Sequence, residues 1–202
     1  VIGNHHHSGT TFKCWQQGSA LNHYSMQYDE SGEAAHAGAV EAWNKARGKY
    51  QVIYAENTEV GSGGDAMRRH AWASALGGLM PMLFEMNVHD TQTATLRQCR
   101  HLQEFFEATD FYTMASHDEL AHAGTKWVLA DPGRSYIAYT DEPSDRLGLK
   151  DLQAGRYDFT WLDCVTGKTV AQKAVSMAAG DHGWRKPEQF GSEIAVWIRR
   201  AR

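Results

Sequence analysis

The sequence predicts two regions of different class, an α/β region over residues 1–115 and an all-β region over residues 116–202. Two observations predict it. Strand-like and helix-like patterns alternate through the first region, with polar residues repeatedly placed just after the apolar runs. After about Ser116 the rhythm changes to short alternating segments punctuated by turn residues.

The elements of the first region follow from local pattern. Val1-Ile2-Gly3 reads as a strand already under way, so the chain is expected to open mid-domain. A second strand falls within residues 21–28, and a helix over residues 33–47 follows, its apolar face formed by Val40, Trp43 and Ala46 and its stop supplied by Gly48. Val52, Ile53, Tyr54 and Ala55 form an unbroken apolar run, expected to be a strand buried on both faces and ended by Glu56. Gly61 to Gly64 form a loop, and Asp65 is placed to cap a helix whose Met67, Ala71, Ala75 and Gly78 share a face. A short strand over residues 82–84 runs out into Glu85 and Asn87. A last helix over residues 91–108 is expected to bury Leu96, Cys99, Leu102 and Phe106.

This order is the sequence form of a parallel barrel or an open parallel sheet, in which active groups sit on loops after the strands' C-terminal ends. Four strands do not close an eight-stranded barrel. The region is therefore either the second half of a larger protein or a smaller or oligomeric sheet.

In the second region the strand candidates are residues 126–130, 136–140, 156–163, 169–176 and 194–199. Asp131-Pro132-Gly133, Ala154-Gly155 and Thr166-Gly167 supply turns between them. Strict alternation in Tyr157-Asp158-Phe159-Thr160-Trp161 puts the aromatic rings on one face, toward a core. The region reads as a small antiparallel β-sandwich.

Composition excludes several function classes. Twenty basic residues against 24 acidic ones, with no sustained run of one sign, give no electrostatic footprint for nucleic acid or an anionic membrane. No apolar run reaches the roughly 18 residues needed to span a bilayer. Cys14, Cys99 and Cys164 are odd in number and lack CxxC spacing, so they are expected to be reduced packing residues. His5, His6 and His7 are consecutive and point in different directions, which argues against a metal set, and no cofactor is expected. Trp72, Trp127, Trp161 and Trp197 carry core periodicity, whereas Trp15 and Trp184 lie in loop-like stretches and are expected to be exposed.

Four motifs in order then carry a resemblance: His5-His6-His7-Ser8-Gly9, Leu21-Asn22-His23-Tyr24-Ser25-Met26-Gln27, Ala55-Glu56-Asn57-Thr58-Glu59 and Arg68-Arg69-His70-Ala71-Trp72-Ala73. They resemble the second half of the TIM-type (β/α)8 barrel in apiosidase-like glycoside hydrolases. The tail, with Tyr157 to Asp163, Thr166-Gly167-Lys168, Pro187 and Ile194-Ala195-Val196-Trp197, is similar to the collagen-binding-like β-sandwich joined to that barrel. The resemblance covers nearly the whole chain, and the order of the motifs is stronger evidence than any one of them.

The resemblance implies a retaining glycoside hydrolase acting on an oligo- or polysaccharide. Glu56 stands where such barrels carry the nucleophile at the end of the seventh strand, and a second carboxylic acid roughly 5 Å away would protonate the leaving oxygen. It further implies substrate contacts for His5, Gln27, Asn57 and Glu59, with Glu59 also placed to support Glu56. The family's acid/base residue follows the fourth strand, while this chain begins near the fifth. The missing half barrel is therefore an expected partner, and without its general acid a factor of about 100 to 10,000 in rate is absent. Secretion or periplasmic export suits a polymer-degrading parent. A different class of reading is a non-catalytic glycan- or protein-binding module built on the sandwich, which would require an exposed aromatic row.

Overall fold

The computed structural model describes residues 3–6, 20–57, 64–81 and 91–201. The chain divides into two compact units, Val1–Cys99 and Arg100–Arg202.

The first unit is built on a sheet of four parallel strands, β1 (Gly3–His6), β2 (His23–Gln27), β3 (Gln51–Glu56) and β4 (Met80–Pro81), which lie side by side in chain order. Helix α1 (Gly32–Ala46) connects β2 to β3, helix α2 (Gly64–Leu76) connects β3 to β4, and helix α3 (Thr93–Glu107) follows. Strands in a parallel pair need such crossovers, because a tight turn can only reverse the chain.

α1 begins after Ser31, whose backbone is extended, and carries Glu33 in its first turn and Lys45 in its last, each matched to the local end of the helix dipole. It ends at Arg47, whose N–H donates to the Trp43 carbonyl at 2.8 Å, and Gly48 then takes φ +72° to turn the chain out. Its buried face differs from the expected one. Ala35, Ala39, Ala42 and Ala46 are buried, while Val40 and Trp43 sit half-buried at the margin. Small side chains win this face because neighbouring backbone comes close: a Cβ on Gly77 would stand 2.5 Å from that of Ala39. The core beneath consists of Tyr24, Met26, Tyr54 and Leu79.

Three further expectations change. In β3 only Tyr54 is fully buried, with Val52, Ile53 and Ala55 half-buried, so the strand is not sealed on both faces. Asp65 lies inside the first turn of α2 and pairs with Arg68 at 2.8 Å rather than capping the helix from outside. Leu96 is exposed, because α3 turns Thr95 inward instead, where its hydroxyl accepts the Gly64 N–H at 3.0 Å. The strand expected over residues 82–84 lies outside the described residues.

The second unit contains two antiparallel sheets. The larger has the order β11 (Thr169–Met177), β10 (Gly155–Asp163), β13 (Ile194–Arg200), β8 (Ser135–Thr140), β7 (Trp127–Asp131), β5 (Ala115–Ser116). The smaller has the order β12 (Gly180–Arg185), β9 (Arg146–Leu152), β6 (Ala121–His122). One apolar core takes side chains from both: Val128, Ala138, Phe159, Trp161, Val196 and Ile198 from the larger sheet meet Leu147, Leu149 and Leu152 from the smaller. The alternation in β10 holds, with Tyr157, Phe159 and Trp161 buried and Asp158 and Thr160 half-buried.

Strands β9 and β12 were not expected from pattern, and the reason is local. β9 carries Gly148 and a positive φ at Asp151, and its pairing to β12 slips between Gly180 and His182, so no clean alternation survives. β12 is an edge strand of Gly-Asp-His-Gly-Trp-Arg composition, with one large apolar residue. That residue, Trp184, is half-buried rather than exposed: its ring meets Phe159 edge to face at 5.0 Å and stacks on His182 at 5.9 Å. Trp15 lies outside the described residues. Trp72, Trp127 and Trp161 are buried, and Trp197 is half-buried with its Nε1–H donated to Ser135 Oγ at 2.8 Å. Cys99 is half-buried and Cys164 buried, whereas Cys14 lies outside the described residues. No described helix is long and apolar enough to cross a membrane.

Candidate active site at the ends of two parallel strands

Alternation assigns each residue of β2 to a face. Tyr24 and Met26 belong to the core beneath α1, so His23, Ser25 and Gln27 occupy the opposite face. His23 Nε2 and Ser25 Oγ are within hydrogen-bond distance there, at 3.2 Å.

β3 follows the same rule until Tyr54, which pairs with Met26 and faces the helices. The next paired residues are Gln27 and Glu56, so β3 advances by two positions while β2 advances by one. The extra residue, Ala55, is a β-bulge. Strict alternation from Tyr54 would turn Glu56 toward the helices. The bulge brings it instead beside Gln27, on the face away from them.

Asn57 supports this assignment independently. Its Nδ2 lies 3.4 Å from the Tyr54 hydroxyl and donates to the Tyr28 carbonyl at 3.1 Å and to the Glu30 carbonyl. Plain alternation would put residues three apart on opposite faces, so this contact between Tyr54 and Asn57 agrees with an extra residue between them. Asn57 is thus buried, with its amide nitrogen engaged by the segment after β2. The Tyr54 hydroxyl also donates to the Tyr28 carbonyl.

The electrostatics of this corner are set mainly by burial. It holds the Tyr54 phenol well above its usual range, with Asn57 opposing the shift and Tyr28, Asp29 and Glu30 adding to it. Tyr28 is raised as well, first by burial and then by Glu30 and Glu41. Behind Tyr54, at 4.6 Å and edge to face, lies the His70 ring of α2. Among the described residues neither of its ring nitrogens has a hydrogen-bond partner, and burial pushes its pKa down to about 4. Neighbouring Arg68 is buried too, with Nη1 donating to Gln98 Oε1 at 2.7 Å and paired to Asp65.

The strand ends thus bring Gln27 and Glu56 together, the first buried and the second half-buried. The His5 backbone stands in β1 opposite Ser25, two residues short of Gln27. Glu59 and His7 lie outside the described residues. Among the described residues, no group of three His, Cys, Asp or Glu side chains could hold a metal ion. Two features escaped the sequence reading. Tyr54 was read only as part of an apolar run, and the bulge has no signature in YAEN beyond Glu and Asn both following the apolar residues.

No family model matches the chain, and no curated protein matches it. Solved structures do. A protein described as a glycoside hydrolase matches with TM-score 0.62 at 9% identity, over 93% of this chain and 54% of its own. A glycoside hydrolase family 5 protein from Bacteroides vulgatus ATCC 8482 matches with TM-score 0.63 at 8% identity, over 92% of this chain and 52% of its own. The chain spans about half the length of these structures, and at such identity the likeness concerns the fold alone: a mixed α/β arrangement, with three α-helices among the described residues, of a kind found within glycoside hydrolases.

Proposed function

We propose that residues 1–115 form the C-terminal half of a (β/α)8 barrel and residues 116–202 a β-sandwich, together the C-terminal part of an apiosidase-like retaining glycoside hydrolase. The observation that carries this reading is the pairing of Gln27 with Glu56 across the Ala55 bulge, at the C-terminal ends of adjacent parallel strands. Catalytic groups of (β/α)8 enzymes come from that end of the strands.

In this reading Glu56 attacks the anomeric carbon of a sugar in an oligo- or polysaccharide. The C–O bond to the leaving group breaks as the carboxylate–carbon bond forms, and the departing oxygen takes a proton from an acid outside this chain. Water then releases the sugar and restores the Glu56 carboxylate. Gln27 and His5 hydrogen-bond sugar hydroxyls, which suits an amide and an imidazole. Glu59 contributes a further contact or supports Glu56. Asn57 follows Glu56 directly, and its described bonds favour bracing over direct contact. Export from the cytoplasm belongs to the same proposal.

The test is Glu56→Gln in the complete gene product, assayed on a panel of aryl glycosides. Turnover should vanish while the far-UV spectrum and melting temperature stay unchanged, and retained turnover removes Glu56 from the chemistry. The binding-module alternative has less support. It calls for a row of exposed aromatic rings on the sandwich, and among the described aromatic residues of Arg100–Arg202 only Tyr112 is exposed.

A further inference from the structure

The ends of β2 and β3 are tied through the main chain of one residue, Tyr28. Its N–H donates to the Glu56 carbonyl at 3.0 Å, and its own carbonyl accepts from both the Tyr54 hydroxyl and Asn57 Nδ2. Tyr54 and Asn57 stand on either side of the bulge residues Ala55 and Glu56, so they grip β2's continuation from both flanks of the candidate nucleophile.

Resting on the reading of Glu56 as nucleophile, we propose that Tyr54 and Asn57 are positioning residues that clamp Tyr28 and thereby fix the Glu56 carboxylate beside the Gln27 amide. The physical case is one of register. A strand end that carries one extra residue can place the excess at more than one position, and each slip by one residue sends the following side chains to the opposite face. Two donors on one carbonyl remove that freedom. Slipping by a residue would withdraw Asn57 from Tyr28 and Glu30 together and leave buried polar groups unbonded.

The clamp is sheltered. Tyr54 is fully buried and Asn57 is 2% exposed, so water does not compete for these bonds. Burial also keeps the phenol protonated, so Tyr54 remains a donor throughout the working pH range. At the far side, the Tyr28 ring is held against Gly38 of α1, which anchors the clamped residue to the helix layer. A carboxylate misplaced by about 1 Å loses on the order of 100-fold in rate, so such a brace acts on turnover more than on affinity.

The experiment uses the complete gene product and 2,4-dinitrophenyl glycosides, whose leaving group needs little protonation, so that the rate reports on the nucleophile. Tyr54→Phe and Asn57→Ala are compared with wild type and with Glu56→Gln. The expected result is a fall in kcat of about 10-fold to 100-fold per folded molecule with KM within about threefold, and a displaced acid limb in the pH profile of kcat/KM. The acid limb follows ionisation of the nucleophile, which a purely structural role would leave in place. Tyr54→Phe removes one oxygen and keeps the ring, so it reports even if Asn57→Ala does not fold. An inactive Glu56→Gln beside a Tyr54→Phe variant with unchanged kcat and acid limb overturns the clamp alone. An active Glu56→Gln overturns the nucleophile reading and the clamp with it.

Discussion

Gly38 of α1 lies so close under the Tyr28 ring that a Cβ built on the glycine would stand 2.2 Å from Tyr28 Cε1. The contact joins the helix layer to the residue that carries the strand-end hydrogen bonds. Gly38→Ala should therefore destabilise the first unit, although alanine is intrinsically the better helix former by about 1 kcal/mol. Overpacking costs about 1–3 kcal/mol, and here the ring that must move is also held by its own backbone. Denaturant unfolding of both proteins checks this; a more stable variant would mean that the Tyr28 ring can swing aside freely.

His70 predicts acid sensitivity. Its pKa in the fold is near 4 because of burial, against about 6.5 in an unfolded chain, so between these values the unfolded chain binds the extra proton. The stability held above about pH 6.5 is lost as pH falls toward 4, by about 3 kcal/mol at most. Unfolding midpoints for wild type and His70→Leu, taken at pH 7 and pH 4.5, should diverge in slope, the variant losing less on acidification. Parallel slopes would remove His70 as the cause.

Asp163 closes the β10–β11 connection from inside. It is 2% exposed, and its carboxylate accepts the N–H groups of Thr166 at 2.8 Å, Gly191 at 2.8 Å and Val165 at 3.1 Å. Burial alone would raise its pKa, but those bonds outweigh it and hold it below the usual carboxylate value. Its contribution is thus present above about pH 4 and lost as the carboxylate protonates below that. Asp163→Ala leaves three donors without their acceptor and should cost about 2–4 kcal/mol in the second unit. Asp163→Asn, which keeps one acceptor oxygen, should cost less. Equal losses in thermal melts would show that a neutral amide oxygen replaces none of what the carboxylate contributes.

Gln27 and Glu56 should separate kinetically if they have the assigned roles. Gln27→Ala removes a hydrogen bond to bound sugar and should raise KM by about 3-fold to 30-fold with a smaller change in kcat. Glu56→Gln should abolish kcat. Steady-state kinetics of both variants of the complete gene product decide this, and a pure kcat loss in Gln27→Ala would move it from binding to chemistry.

The sequence disclosed periodicity and concealed register. Strands β7, β8, β10, β11 and β13 were visible because they are short runs separated by turn residues such as Asp131-Pro132-Gly133, with Gly133 at φ +84°, and β10 in addition alternates aromatic with polar residues. β9 and β12 were hidden because glycines and a slipped pairing interrupt the repeat. The α1 face was misread because bulky Val40 and Trp43 outweigh alanines in any pattern, yet close backbone approach favours the alanines. Glu56 stood out as the first charge after an apolar run. Its neighbour across the sheet did not, since pairing Gln27 with Glu56 depends on a bulge that only the folded register reveals.

The extra residue at Ala55 also makes this segment tolerant of exchange and of that residue's own loss. Many side chains could replace Ala55 without altering which way its neighbours turn. Removing Ala55 would restore a plain two-residue repeat in which Glu56 follows Tyr54 directly and still turns away from Tyr24, Met26 and Leu79, in step with Gln27. Drift along this strand end is therefore open to both substitution and loss at one position, while a single deletion upstream of Tyr54 would exchange the two faces of β3 and is closed to it.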